Sequence, residues 1–343
     1  MQKPSVNWNS LVPLLGTNIA SEEARQKSYL LLESYVEGAQ RTNGIPDTTA
    51  SVEAFRIHIK DLDDKDLAIL LIHSGFIPDQ YGDDSSDETL YSKLVEVMVA
   101  EWGQRLGYLT SLPTAKASVE DVTFVHGDAV IVSDVKSYRL GRSQQAPNVK
   151  DVIKAEDYNK WLGNRTESLK CGGLVVYASR FDFVKGSDVY LYASNAAPQR
   201  RILILFFEHL AFLLINKDKL NNRKIFDILD RYPIFFPKPE KSRAAYWKTT
   251  NVELQAVTGA DPEVFFDRVQ PLVIDCIFYA MERIERRIGE TRRALEEELK
   301  DMEANELRAR LLPAEFLHKC GSDVRRLENI RRFRLERFRP PLG

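Results

Sequence analysis

Residues 121–136 read Asp121-Val122-Thr123-Phe124-Val125-His126-Gly127-Asp128-Ala129-Val130-Ile131-Val132-Ser133-Asp134-Val135-Lys136. Val122, Phe124 and Val125, then Val130, Ile131 and Val132, are β-branched or aromatic residues that favour strands, and Gly127-Asp128 between them is a favoured two-residue hairpin loop. The stretch therefore predicts two antiparallel strands and a tight turn. With Gly127 and Asp128 as the loop, His126 faces Ala129, and the same counting places Asp121 directly opposite Asp134.

Side chains alternate along a strand, so Asp134 and Lys136 project to the face that Asp121 shares, while Val135 turns to the other. Like charges opposite each other across an antiparallel pair weaken the sheet. A divalent cation removes the conflict. Two carboxylates can hold Mg²⁺ while most of its octahedral shell is left to water and phosphate oxygens, and a neighbouring ammonium can orient or activate the attacking water. The pattern points to a metal-dependent nuclease site with Asp121 and Asp134 as metal ligands and Lys136 at the water. The same residues also fit a surface hairpin in which Asp121 and Lys136 form a solvated ion pair. Asp-x-Lys alone is weak evidence, because Asp63-Asp64-Lys65 matches it and Glu298-Leu299-Lys300 is related. Both of those lie on charged, helix-like stretches, whereas residues 134–136 end an apolar strand with a second aspartate in register.

Composition bounds the alternatives. With 48 basic and 50 acidic residues the formal charge is −2, so any nucleic-acid surface is local. Cys171, Cys276 and Cys320 are scattered and odd in number, which fits reduced thiols in a cytoplasmic protein better than a disulfide frame or a zinc site. No signal peptide and no apolar run of about 18 residues is evident, so no membrane association is expected. Gly-x-Gly-x-x-Gly and Gly-Lys-Ser/Thr phosphate loops are absent, and His58, His73, His126, His209 and His318 show no metal-ligand spacing. His209, beside Glu208 in an apolar helix start, reads first as a satisfied core histidine, and His126 as an exposed residue flanking the turn.

Read for organisation, a helical N-terminal region (1–84) has amphipathic stretches near Glu22–Gly38 and Val52–Gly75, separated by Asn43-Gly44-Ile45-Pro46. A polar break ends in Ser86 or Asp87, either of which can cap a helix carrying Leu90, Leu94, Met98, Trp102 and Leu106. After the hairpin, strands are predicted at Gly173–Ser179, Ser187–Ala193 and Arg201–Phe206, the last running into a helix at Glu208–Leu214. This order gives a mixed α/β core, residues 85–236, whose sheet is the metal platform. A proline-rich connector, Tyr232–Pro239, leads to a helical C-terminal region (240–343), so the whole chain, 1–343, reads as one domain.

Ser137-Tyr138-Arg139-Leu140-Gly141-Arg142-Ser143 resembles the Ser-aromatic-Arg-Leu-x-Arg segment that follows Asp-x-Lys in the HindIII type II restriction endonucleases. Glu88-Thr89-Leu90-Tyr91-Ser92-Lys93 and Leu205-Phe206-Phe207-Glu208-His209-Leu210-Ala211 are similar to two further blocks of that family, in the same order. The resemblance covers residues 85–240 well. Two departures stand out: Val135 replaces the usual small residue of Asp-Ala-Lys, and the loop between the two aspartates is shorter. Neither alters a charged group, so recognition specificity, not chemistry, is where a difference is expected.

The resemblance implies a mixed central β-sheet of the PD-(D/E)xK nuclease type flanked by helices. It implies a Mg²⁺-dependent enzyme that hydrolyses a phosphodiester in each strand of a short palindromic site in double-stranded DNA, leaving 5′-phosphates. A homodimer would match the symmetry of such a site, and a cognate DNA methyltransferase would protect host DNA. Many nucleases of this fold place a carboxylate from the preceding helix beside the metal. Glu88 is the first candidate for that role, with Glu96 as the substitute; a first-turn glutamate favoured by the helix dipole is the simpler account of Glu88. For DNA contact the candidates are Arg139 and Arg142 with Ser143, Gln144, Gln145 and Asn148, extended by Lys150 and Lys154; a solvated loop is the simpler account. The arginine-rich tail from Arg325 to Arg339 reads either as an amphipathic helix docking Leu327, Ile330, Phe333 or Leu335, or as a DNA arm or dimer contact. Two other readings stay open, a repair or recombination nuclease with the same core and a DNA-binding module without chemistry.

Overall fold

A computed structural model describes residues 28–82, 84–113, 119–140, 155–177, 201–220, 224–230, 243–300 and 305–332. Helix α1 (Tyr29–Glu37) is followed by a small hairpin of β1 (Arg41–Thr42) and β2 (Ile45–Pro46) turning on Asn43-Gly44. Val52–Gly75, one amphipathic stretch in the sequence, folds as two helices, α2 (Thr48–Asp61) and α3 (Asp64–His73). The break lies at Asp63, whose carboxylate accepts the N–H groups of Lys65 and Asp66 at 2.9 and 2.8 Å. An aspartate that satisfies the first free N–H groups of one helix starts that helix afresh. The misleading Asp63-Asp64-Lys65 triplet is thus a helix cap.

Strand β3 (Phe76–Ile77) leads to helix α4 (Ser86–Arg105), which is capped one residue earlier than Ser86 or Asp87: Ser85 Oγ accepts from Glu88 N at 3.1 Å. Leu90, Leu94, Met98 and Trp102 on α4 and Leu106 at its end are all buried. Strands β4 (Leu109–Ser111), β5 (Val122–His126), β6 (Ala129–Lys136) and β7 (Tyr138–Arg139) follow. Then come helix α5 (Ala155–Gly163), β8 (Leu169–Tyr177), β9 (Arg201–Phe206) and helix α6 (Phe207–Ile215).

The described residues form a five-stranded mixed sheet in the order β4-β5-β6-β8-β9, antiparallel from β4 to β6 and parallel from β6 to β9. A two-residue loop joins β5 to β6, whereas the β6–β8 crossover carries helix α5, as a parallel connection requires. Helices flank this sheet, an arrangement compatible with the PD-(D/E)xK nuclease fold. The strand expected at Gly173–Ser179 begins earlier, at Leu169, and is described to Tyr177; the one expected at Ser187–Ala193 lies outside the described residues, as does the connector Tyr232–Pro239.

The hairpin register matches the count from the sequence, with His126 opposite Ala129 and Val122 opposite Ser133. Gly127 has φ 60°, a backbone conformation at the first loop position that glycine adopts without strain. Helix α4 lies directly on β5. A Cβ at Gly103 would stand 2.4 Å from Cε1 of Phe124, so only glycine lets the helix approach this closely.

Helices α7 (Lys224–Asp230), α8 (Arg243–Thr258), α9 (Pro262–Glu298) and α10 (Asn305–Arg332) complete the described chain. Helix α9 packs against α3, where His73 Nε2 meets Leu272 O at 3.0 Å, and α10 packs on α9. Within the arginine-rich tail Leu327 and Ile330 are buried against the core, as the docked-helix reading expects, while Phe333 and Leu335 lie outside the described residues. Cys171, Cys276 and Cys320 are buried and form no disulfide, and among the described residues no helix is long and apolar enough to cross a membrane.

Candidate active site

The end of β6 carries the charged face that the alternation argument calls for. Asp121, just before β5, extends the hairpin by one more bond, its N–H donating to Ser133 O at 2.9 Å. Its Oδ2 accepts from Val135 N at 2.8 Å, which brings the Asp121 carboxylate across the hairpin to Asp134. Burial lifts the Asp134 carboxyl above its ordinary range, and Asp121 accordingly adds to the effect. Lys136 Nζ lies 2.6 Å from Asp134 Oδ1, with the lysine side chain 39% exposed and the aspartate 11%. Val135, on the opposite face, packs against the core.

Glu96, from the middle of α4, faces the same cluster. Both its carboxylate oxygens accept from Lys93 Nζ at 2.8 Å. Burial raises its pKa to about 7, with the charge of Asp121 adding to the effect and Lys93 and Lys136 opposing it. Asp134 is likewise held up to about 7 by burial; Lys136 pulls it down, and Asp121 pushes it up. Burial alone would lower Lys136, yet Asp134, Asp121 and Glu96 together carry it above the ordinary lysine value. The charges of Asp134, Asp121 and Glu96 keep Lys136 protonated, while burial, more than any neighbouring charge, resists the ionisation of Asp134 and Glu96.

Glu88 stands elsewhere. Its Oε2 accepts from Asp84 N at 2.9 Å and from Arg139 Nη2 at 2.8 Å, so the first-choice helix carboxylate is engaged away from Lys136. Glu88 and Glu96 are eight residues apart on one helix, which is about 12 Å along the axis at 1.5 Å per residue. One site cannot take both, and the structure brings Glu96, not Glu88, to the aspartates. Lys93, one turn before Glu96, was the available signal: a lysine at that spacing steadies a carboxylate held among like charges.

Residues 39–271, more than half of the chain, match the family model described as HindIII restriction endonuclease. The chain belongs to that family. It is therefore a restriction endonuclease, a nuclease that binds DNA, and the match extends on both sides of the residues whose motifs resemble the family. A search of curated proteins finds no match.

Within this family member Arg139 is not available to DNA, contrary to the expectation from its position past Lys136. Its side chain has no exposed surface. The guanidinium donates to the carbonyls of Pro78 and Gly82, each at 3.2 Å, to Tyr81 O, and to Glu88. Both terminal nitrogens of this planar fork are engaged inside the protein, by three carbonyls and one carboxylate. The other DNA-contact candidates, Arg142, Ser143, Gln144, Gln145, Asn148, Lys150 and Lys154, lie outside the described residues. His209 is the satisfied core histidine expected: Nδ1 accepts from Phe206 N at 2.9 Å and Nε2 meets Asn251 Oδ1 at 3.1 Å. His126 is half-buried rather than exposed, tilted against Phe226 and edge-on to Tyr108.

The donor set suits a hard divalent cation, since carboxylate oxygens are what Mg²⁺ and Ca²⁺ prefer. Among the described residues no three His, Cys, Asp or Glu side chains form a ready-made cage. Two facing aspartates with open coordination positions are what a cation shared with water and phosphate needs, and the raised Asp134 and Glu96 mark the charge it would neutralise.

Proposed function

We propose that this chain is a Mg²⁺-dependent, type II site-specific deoxyribonuclease that cuts both strands of a short palindromic duplex site and leaves 5′-phosphates. The observation that carries this reading is the convergence of Asp121, Asp134 and Lys136 at the end of the hairpin, with Glu96 facing them from α4, where burial resists the ionisation of Asp134 and Glu96. Asp121 and Asp134 are the residues that would hold Mg²⁺. When bound, the cation supplies Lewis-acid stabilisation of the charge that develops on the phosphate and the leaving oxygen.

The protein's own groups orient the reaction. Lys136 is ammonium at neutral pH, so it acts as a donor that positions the attacking water and screens the incoming phosphate, not as a base. Asp134, 2.6 Å from Nζ, aims that ammonium. Val135 N–H holds the Asp121 carboxylate in place from the opposite strand. Glu96 adds a third carboxylate from α4, steadied by Lys93. The segment from Arg142 to Lys150 follows directly on this site and supplies phosphate and base contacts. Equivalent cuts in two strands call for a two-fold homodimer. A cognate methyltransferase then protects the host DNA in the same cytoplasm.

The test is a digest of plasmid DNA with Mg²⁺ and with EDTA, followed by sequencing of the ends. Discrete fragments with phosphorylated 5′ ends, absent in EDTA, are expected. A chain that binds DNA but gives no Mg²⁺-stimulated cutting would be a binding module, and cutting by lesion or branch instead of sequence would make it a repair or recombination nuclease.

A further inference from the structure

Arg139 stands three residues past Lys136, and Glu88 stands in the first turn of the helix that also carries Lys93 and Glu96. We propose that the buried Arg139–Glu88 pair is a positioning device for cleavage, clamping the strand end that carries Lys136 to the helix that carries Glu96. The inference rests on the role given to Lys136 above.

The clamp is continuous. Tyr138 and Arg139 form β7, which pairs in parallel with Phe76 and Ile77 of β3. Ser137 Oγ donates to Ser74 O at 3.0 Å, and Tyr91 OH, from α4, donates to Phe76 O at 3.0 Å. Arg139 closes the assembly: Nη1 donates to the carbonyls of Pro78 and Tyr81, and Nη2 to the Gly82 carbonyl and Glu88. Residues 137–139 are thus tied at each position to 74–82 or to the start of α4, and Lys136 is the next residue, half-exposed above Asp134. An enclosed guanidinium depends on its counter-ion, because removal of one partner leaves an uncompensated buried charge. Its planar, multi-donor fork fixes direction in a way that an ammonium cannot. Since displacement of a reacting group by 1 Å can cost about 10²-fold in rate, a pair with no access to DNA can still govern cleavage.

The experiment uses the full chain, with single-turnover plasmid cleavage in Mg²⁺ at a temperature where circular dichroism shows each variant folded, beside affinity for the same DNA in Ca²⁺. Arg139→Lys and Glu88→Ala are expected to slow cleavage about 10- to 100-fold while affinity stays within about threefold. Glu88→Gln, which keeps an acceptor for Arg139 and Asp84 but not the counter-charge, should recover part of that rate. A folded Glu88→Ala that cuts at the wild-type rate overturns the inference, and so does a loss of affinity that matches the loss of rate. If neither strong variant folds, Ser137→Ala removes only the Ser74 contact; a rate loss of about three- to tenfold supports the clamp, and an unchanged rate overturns it. Lys136→Ala runs alongside. Wild-type cutting by that variant removes the role of Lys136 itself, whereas an inactive Lys136→Ala beside fully active pair variants removes only the clamp.

Discussion

The Oδ2 atom of Asp121 accepts the backbone N–H of Val135 at 2.8 Å across the hairpin. One short contact therefore does two jobs. It closes the hairpin beyond its last ladder pair, and it points a carboxylate at Asp134 and Lys136. Asp121→Asn keeps an acceptor oxygen but loses the charge, so it is expected to abolish cleavage while the metal-free protein melts no lower than wild type. Asp121→Ala removes the acceptor as well and should cost about 1–3 kcal/mol for the unsatisfied N–H. Urea unfolding of the two variants in EDTA separates the roles; equal destabilisation by both would deny the hydrogen bond its part.

Lys136→Ala should lower the cleavage rate by about 10²–10⁴-fold. Specific DNA binding measured in Ca²⁺ should survive, because the ammonium serves the water and not the docking. Parallel loss of both would make Lys136 a structural or DNA-contacting residue.

The pH dependence of metal-free stability has a definite sign. Asp134 and Glu96 are held up to about 7 in the fold, against ordinary values of 3.8 and 4.5. Below the ordinary values both groups are protonated, folded or unfolded, and their contribution is fully present; as pH rises towards 7 the unfolded chain ionises freely and the folded one resists. Stability is lost over that window, at most on the order of 1 kcal/mol per pH unit for each group. Urea midpoints in EDTA should therefore fall more steeply between about pH 4.5 and pH 7 for wild type than for Asp134→Asn. Ca²⁺ should flatten the wild-type curve, and identical slopes for the two proteins in EDTA would remove the crowding from the account.

Glu96→Gln takes one charge from the cluster and should raise metal-free stability at neutral pH while weakening the dependence of cleavage on Mg²⁺. Glu88→Gln should leave the Mg²⁺ dependence unaltered, since Glu88 faces Arg139. Titration of cleavage rate against Mg²⁺ for both variants tests the assignment; the reverse result would return Glu88 to the site.

Gly103→Ala should destabilise the fold by about 1–3 kcal/mol through overpacking. Its new Cβ would meet Phe124 Cε1 at 2.4 Å and Thr110 Cγ2 at 2.8 Å, and helix α4 would have to lift off β5. Because α4 carries Glu96, cleavage should slow in the fraction that stays folded. Unchanged stability would mean that the helix–sheet contact is softer than its spacing implies.

How much could be read before the chain was folded follows from the range of the forces involved. The hairpin, its register, the shared face of Asp121, Asp134 and Lys136 and the inward turn of Val135 are consequences of a two-residue loop and a period-two backbone, so sixteen consecutive residues sufficed to place them. Strand β9 and the helix after it were legible for the same reason, as was the buried stripe of α4. Other features depend on partners distant in sequence. Asp63 splits a single amphipathic pattern into two helices by capping, which apolar periodicity does not register. Both glutamates of α4 satisfy the sequence pattern, and the choice between them depends on how the helix docks, with Glu88 held by Arg139 and Glu96 facing Asp121 and Lys136. Arg139 looked like a DNA contact because it follows Lys136, yet carbonyls at 78–82 and Glu88 enclose it. Local backbone geometry determines which residues share a strand face. Only long-range burial, which docks one rigid element on another, decides which charged side chains that face meets.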